Sequence, residues 1–320
     1  MTTTATPLVS VIIPTYNRAR LLPGAIASVL GQTYSQIELI IVDDGSTDET
    51  PEVLEQYGDR IRVLRQANAG PAIARNRGIA LATGGIIAFL DSDDEWLPTK
   101  IERQVASLEA AGPEVGCCLC NCLVRFANGS NSSTFAIADT IPDRPTGIWL
   151  NPVEILLNRF VMFSQAVAIR REVLERVGYF DESLRFGEDY ELPFRLALQG
   201  PWTIIRDELV IYHEASPGSW AKAALREEIR LREDLVRIRE GMAAALETHP
   251  DFVTLRPAAR RELRRERREL SIAQLGRRSI FGASTLARSL AGIERVRRAV
   301  YRRSPFYPRV VVSNATAFET

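Results

Sequence analysis

Three carboxylates crowd the end of one apolar run, where Phe89-Leu90-Asp91-Ser92-Asp93-Asp94 follows Gly85-Ile86-Ile87-Ala88. The run is short and lies between turn signals, so it predicts a buried strand over 85–90. Carboxylates at a strand's carboxyl end repel one another and resist burial unless something positive joins them. A divalent cation with a phosphate ligand would do so, because hard cations prefer oxygen ligands. In open α/β sheets the ligand crevice also lies outside the carboxyl ends of the strands. The alternative for this fragment is a solvated acidic turn with Asp93 or Asp94 capping a helix.

The elements that would position this cluster alternate regularly. Val9–Ile13 predicts a strand closed by Pro14, followed by a helix over about 21–30. Glu38–Val42 predicts a second strand, running straight into Asp43-Asp44-Gly45-Ser46-Thr47-Asp48. Ser46 or Thr47 can cap a helix containing Pro51, Val53 and Leu54. Ile61–Leu64 predicts a third strand, and 70–82 a helix stopped by Gly84-Gly85. Strand–helix alternation at this spacing argues for a mostly parallel sheet with right-handed crossovers. Beyond Trp96 the pattern changes. Helices are expected over 101–111, 171–177 and from Gly187 to about Gln199, and strands over 115–126, 163–169, 202–205 and 209–212. Residues 128–145 are rich in turn formers and read as a flexible excursion. Helical patterns dominate from 221 onward.

The 320 residues carry no net charge and 46% apolar residues, ordinary for a globular protein and by themselves no sign of a polyanion partner. The charge is uneven, however, because residues 221–303 hold 21 Lys and Arg against 11 Asp and Glu. Residues 1–8 lack the pattern of a signal peptide, and no apolar run is long enough to span a membrane. All four cysteines lie in Cys117-Cys118-Leu119-Cys120-Asn121-Cys122 with no second metal-ligand pair, so buried thiols in a reducing cytosol are expected.

Five motifs occur in order: Val9-Ser10-Val11-Ile12-Ile13-Pro14-Thr15-Tyr16-Asn17-Arg18; Asp43-Asp44-Gly45-Ser46-Thr47-Asp48; Gly70-Pro71-Ala72-Ile73-Ala74-Arg75-Asn76-Arg77-Gly78; Asp91-Ser92-Asp93-Asp94; and Phe180-Asp181-Glu182 with Gly187-Glu188-Asp189-Tyr190. Over about 7–213 the chain resembles family 2 of the inverting glycosyltransferases. The resemblance implies a GT-A type, Rossmann-like α/β fold, with a mixed, mainly parallel sheet flanked by helices. It also implies transfer of a sugar from a nucleotide-sugar donor, UDP favoured, with Mg²⁺ or Mn²⁺. The acceptor would be a hydroxyl of a glycan, a lipid-linked molecule or another compound, in polysaccharide, cell-envelope glycan or glycolipid synthesis. The catalytic domain would then cover 1–220, with a nucleotide-sugar half over 7–95 and an acceptor half over 96–220. Residues 221–320 would form an Arg-rich helical extension.

On that reading the donor site takes Pro14, Thr15, Tyr16, Arg18, Asp44, Arg75, Asp91 and Ser92. Pro14, Thr15 and Tyr16 leave the first strand where a base could pack, and Asp44 can accept from a base N–H. Asp43 and Asp44 could also simply shape the turn at Gly45. Arg75 could grip base or diphosphate through its planar fork, or make a surface ion pair. The acidic triplet corresponds to the family's DXD motif, with Asp91 near the ribose and Asp93 or Asp94 on the metal. His213 could complete the metal site, or be a satisfied strand-end histidine. Inversion needs a base opposite the leaving group; Asp189 is the first choice and Glu188 the second. The positive end of a helix favours a carboxylate there, although such charges can serve the helix alone. Trp202 and Trp220 could stack on sugars, although core packing is their default role.

Arg260–Leu270 suits an exposed helix with intrahelical ion pairs. The segment 279–300 is more amphipathic. Residues 260–303 could lie on an anionic membrane surface, pack on the catalytic domain or meet a second copy. No nucleic-acid module is evident, and a cytoplasmic chain is expected, with peripheral contact at the inner face of a membrane as the alternative if 260–303 lie on lipid. A sugar-phosphate nucleotidyltransferase would instead carry a Gly-rich phosphate loop after the first strand, where Pro14-Thr15-Tyr16-Asn17 stands. A non-catalytic sugar-nucleotide binder or scaffold would not need Asp93 and Asp189.

Overall fold

The computed structural model describes residues 6–159, 161, 164–214, 227–278 and 312–313. Strands β1 (Val9–Thr15), β2 (Ile37–Asp43), β3 (Arg62–Arg65) and β4 (Ile86–Phe89) alternate with helices α1 (Leu22–Leu30), α2 (Thr50–Glu55) and α3 (Pro71–Leu81). The four strands are all parallel, in the order β4-β1-β2-β3. Val9, Val11, Ile12 and Ile13 are fully buried, as expected of a parallel strand covered on both faces.

The second half adds β5 (Glu95–Trp96), α4 (Lys100–Ala111), β6 (Cys117–Arg125), β7 (Asn131–Ser133), α5 (Thr134–Ile137), β8 (Thr146–Trp149) and α6 (Pro152–Asn158). It continues through β9 (Val167–Arg170), α7 (Arg171–Val177), α8 (Glu188–Ala197) and β10 (Trp202–His213). Helices α9 (Glu228–Thr248) and α10 (Arg256–Arg278) follow, and β11 (Val312–Ser313) closes the described chain. Among the described residues one mixed sheet results, ordered β11-β8-β10-β6-β9-β4-β1-β2-β3, with β5 on β10 and β7 on β6. Strand β9 runs antiparallel to both β4 and β6, so it joins the two halves. The α/β architecture expected from the sequence is present, with β1 to β4 forming its all-parallel part.

Several local expectations need correction. The segment 128–145 is not a bare excursion: β7 pairs with β6, and Phe135 is fully buried. Asn121 Oδ1 holds it there, accepting from Thr134 Oγ1 and the Phe135 N–H, both at 3.0 Å. Residues 202–205 and 209–212 are one strand, because the ladder to β6 continues around the charged Arg206-Asp207-Glu208 with a register shift. The strand expected over 163–169 starts only at Val167; 164–166 form a 3-10 turn and Phe163 lies outside the described residues. Trp202 is core, edge-to-face with Trp149 at 5.5 Å, and Trp220 lies outside the described residues. All four cysteines are buried free thiols, and burial pushes Cys118 up to about 11 and Cys120 to about 12.

The Arg-rich helix is not solvated all round. Antiparallel α9 and α10 pair, and several charges of 260–270 cross to the neighbouring helix instead of staying within their own. Arg260 and Arg267 meet Glu247 and Glu240 at 2.7 Å, and buried Glu266 meets Arg232 at 2.9 Å. Ile238, Met242 and Leu246 bury another side of α9. The amphipathic segment 279–300 lies outside the described residues. No helix among the described residues is long and apolar enough to cross a membrane.

Helix α3 lies close on the sheet because Gly78 has no side chain: a Cβ there would collide with the Ile12 side chain. Gly78→Ala is therefore expected to destabilise the fold by about 1–3 kcal/mol through overpacking, measured by chemical denaturation.

Candidate active site

Adjacent parallel strands deliver adjacent loops, so β4, β1 and β2 place residues 90–94, 14–18 and 43–48 at one sheet edge. The first two motifs lock together there. Asn17 adopts a left-handed φ of 53°, and its side-chain oxygen accepts from the N–H groups of Thr47 (2.7 Å) and Asp48 (3.3 Å). Its own N–H donates to Ser46 Oγ at 2.9 Å. Asp43 Oδ1 closes a turn by accepting from the Ser46 N–H at 2.9 Å. Asp44 is buried and accepts from Gln66 Nε2 and from the N–H groups of Ala69 and Gly70 at 2.7–2.8 Å. It thus anchors the loop entering α3, and a base N–H would have to share that carboxylate. Pro14 is half-buried, Thr15 is buried, and Tyr16 is exposed beside them.

Arg75 ties this edge to α8. It is buried and donates to Asp91 Oδ1 and Glu188 Oε1, each at 2.8 Å, while its guanidinium lies 5.3 Å from the Phe180 ring centroid. Although burial works against it, the two carboxylates hold the guanidinium more firmly protonated than usual. Neighbouring Asn76 clamps the main chain of Phe180, donating to its carbonyl at 2.9 Å and accepting its N–H at 3.0 Å. The 70–78 and 180–189 motifs therefore form one unit.

Asp189 shares this environment. Burial, and then the neighbouring Glu188 charge, push its carboxyl up to about 7, with Arg75 opposing the rise. Glu188 is paired directly with Arg75 at 2.8 Å.

At the other end of the cluster, Asp94 is buried and accepts from the His213 N–H at 3.0 Å and Gln165 Nε2 at 3.1 Å. Burial, followed by the charges of Asp91 and Asp93, holds its carboxyl well above the usual range. Ser92 is buried between them. Asp93 lies 3.8 Å from Arg18. His213 reaches the same edge, with its ring Nε2 3.3 Å from Glu95 Oε1. Among the described residues no three His, Cys, Asp or Glu side chains are arranged around one metal position. The donor set still fits a hard divalent cation by type, since three carboxylates crowd this edge beside the His213 imidazole. Gln165, Glu95 and Asn76 were not foreseen as site residues. Asn76 lay inside a motif already noted, whereas Gln165 arrives only through the pairing of β9.

Removing Arg75 would leave two carboxylates without their shared cation. Arg75→Ala is expected to cost about 3–5 kcal/mol of stability by denaturation, and to raise the Asp189 pKa further.

The model of the family described as glycosyl transferase family 2 matches residues 10–178, more than half of the chain. An uncharacterized glycosyltransferase of Rickettsia prowazekii (strain Madrid E), RP339, is 34% identical over 190 residues, covering 59% of this chain and 58% of that protein. The match therefore spans less than two thirds of that relative's own length. Staphylococcus aureus TarS 1–349, solved with UDP-GlcNAc, superposes with a TM-score of 0.63 at 20% identity, covering 76% of this chain and 67% of TarS. The mannosyltransferase PcManGT of Pyrobaculum calidifontis, solved with GDP-Man and Mn²⁺, gives 0.55 at 24% identity over 93% of this chain and 82% of PcManGT. These two share the fold. On the family match, the chain belongs to glycosyl transferase family 2.

Proposed function

We propose that this chain is an inverting, divalent-cation-dependent glycosyltransferase that moves a sugar from a nucleoside-diphosphate donor, UDP favoured, to an acceptor hydroxyl of a glycan or a lipid-linked molecule. The observation that carries the reading is Arg75, whose two 2.8 Å ion pairs join the acidic donor-side cluster to the helix bearing Asp189. A donor's diphosphate at the 91–94 edge and a proton acceptor on α8 would then stand on either side of Arg75. The solved complexes of TarS with UDP-GlcNAc and of PcManGT with GDP-Man and Mn²⁺ support a nucleotide-sugar donor and a cation.

In this reading Tyr16 and Pro14 wall the base, and Asp44 accepts from it while holding the 66–70 loop. Arg18 faces the diphosphate beside Asp93. Asp93 and Asp94, with His213 adjacent, would hold Mg²⁺ or Mn²⁺. Such a cation supplies charge neutralisation for the departing nucleoside diphosphate. Asp189 takes the proton from the acceptor hydroxyl as its oxygen attacks the anomeric carbon. The new C–O bond forms on the face opposite the breaking bond to phosphate, so configuration inverts. A carboxyl pushed up to about 7 by burial is a stronger base than an ordinary aspartate, yet still ionises near neutrality.

Asp189→Asn is expected to lower turnover by about 10²–10⁴-fold with nucleotide binding retained, which separates a catalyst from a mere binder. The base must be ionised, so the wild-type rate should climb with pH and level off above about 7. A flat profile across that range would reject the assignment. The raised pKa means the fold prefers Asp189 protonated, so stability falls as pH rises from the unfolded pKa to about 7, and the full cost is present above it. Asp189→Asn should therefore raise the melting temperature of the apo protein at pH 8 by about 2–5 °C. A thermal-shift panel of nucleotide sugars with and without Mn²⁺ identifies the donor, because ligands bound only by the native state raise its melting point. Chelation, or Asp93→Asn, should abolish the donor-dependent shift.

A further inference from the structure

Helix α9 holds the main chain ahead of Asp189 and packs on the Tyr190 side chain after it. Gly187, just ahead of α8, is left-handed at φ +83°, and no side chain of its own segment caps the helix. The hold on the segment leading into it comes from elsewhere. Asp234 of α9 has a side chain with no solvent exposure, and its Oδ2 accepts from the N–H groups of Arg185 (3.0 Å) and Phe186 (3.1 Å). Arg230 and Arg237 flank that carboxylate at 3.5 and 3.4 Å, so its charge is compensated. Arg237 also reaches the Ser183 hydroxyl at 2.7 Å, and Glu227 makes two 2.7 Å bonds to Arg185. At Gly187 itself α9 lies so close that a Cβ would stand 2.8 Å from Ile238 Cδ1. Beyond Asp189, the Arg239 guanidinium donates to the Leu157 carbonyl and lies 5.0 Å from the Tyr190 ring centroid. Tyr190 in turn donates to the Leu156 carbonyl at 3.1 Å.

We propose that Asp234 is a positioning residue for Asp189, holding the 185–187 approach to α8 so that the C-terminal helices form part of the catalytic apparatus. This rests on the reading of Asp189 as the base. A left-handed glycine entering a helix has several alternative paths; two hydrogen bonds from a buried, charge-compensated carboxylate select one. An ångström of misplacement at a base that must meet an acceptor oxygen costs about a hundredfold in rate.

In the full chain, Asp234→Ala should lower kcat by about 10–100-fold while donor KM changes less than about threefold. The acid limb of its pH profile should also move, because the Asp189 environment changes. Asp234→Asn should recover kcat to within about threefold, since one amide oxygen can accept both N–H groups. Wild-type kcat in folded Asp234→Ala, or a loss carried by donor KM alone, overturns the proposal. If Asp234→Ala does not fold, Ile238→Ala replaces it with the same expected split and the same overturning result. If the wild-type protein transfers from no nucleotide sugar, the functional reading fails, and the positioning claim is judged by amide hydrogen exchange. Protection over 184–190 should then drop at least about tenfold in Asp234→Ala with 71–81 unchanged, and equal protection overturns it.

Discussion

A guanidinium with almost no access to water must find anions, and two carboxylates facing the same interior space must find a cation. Arg75, Asp91 and Glu188 meet both demands at once, with 2.8 Å contacts on each side. Breaking any one of them leaves a buried or half-buried charge without its partner, which is why the arrangement is stiff. It also fixes a distance that matters chemically. Asp91 ends a sheet strand and Glu188 opens a helix about a hundred residues later, yet neither can drift from the other. The Phe180 ring, lying against the guanidinium and edge-on to Phe89 at 5.2 Å, closes the apolar side of this junction.

Around that junction the fold supplies polar chain ends in a set order. Parallel strands put three loops side by side, and each loop is held by side chains of another. Asn17 reads the main chain of 47–48, Asp44 reads that of 69–70, and Asn76 reads that of 180. Side-chain bonds to main-chain groups explain why asparagine and aspartate recur in these motifs: each replaces a missing ladder partner at a strand or helix end. Tyr16, Arg18 and Asp93 stand at the same edge, with Arg18 and Asp93 3.8 Å apart.

The Arg-rich C-terminal helices gain a different meaning from their contacts. Arginines alternate with glutamates because two antiparallel helices exchange charges across their seam, as with Arg232 and Glu266 or Arg267 and Glu240. The seam leaves α9 free to present an apolar stripe and one buried aspartate to the segment entering α8. Buried Lys100 shows the same economy of charge elsewhere: it lies 3.8 Å from the Trp96 ring centroid and donates to Gln104 at 2.7 Å, and burial pulls its ammonium down to about 8.

The order of strands and helices in the first hundred residues was readable because period and turn residues report local geometry. So was the acidic edge, since carboxylates after an apolar run can only stand at a strand end. The polar residues of the second half were not readable in the same way. Asp234, Gln165 and Lys100 look like ordinary surface residues in the sequence, because a charge pattern shows which face is polar and not what covers it. Their burial depends on contacts 48, 71 and 4 residues distant along the chain, of which only the last is local. By itself the sequence determined the elements and the chemical types gathered at one edge. Only the tertiary structure decided that Arg75 is spent on two carboxylates, that Asp94 answers to Gln165 and His213, and that a helix from the far end of the chain steadies the approach to Asp189. Partners of a buried charge are chosen by packing in three dimensions, and no spacing along one dimension encodes them.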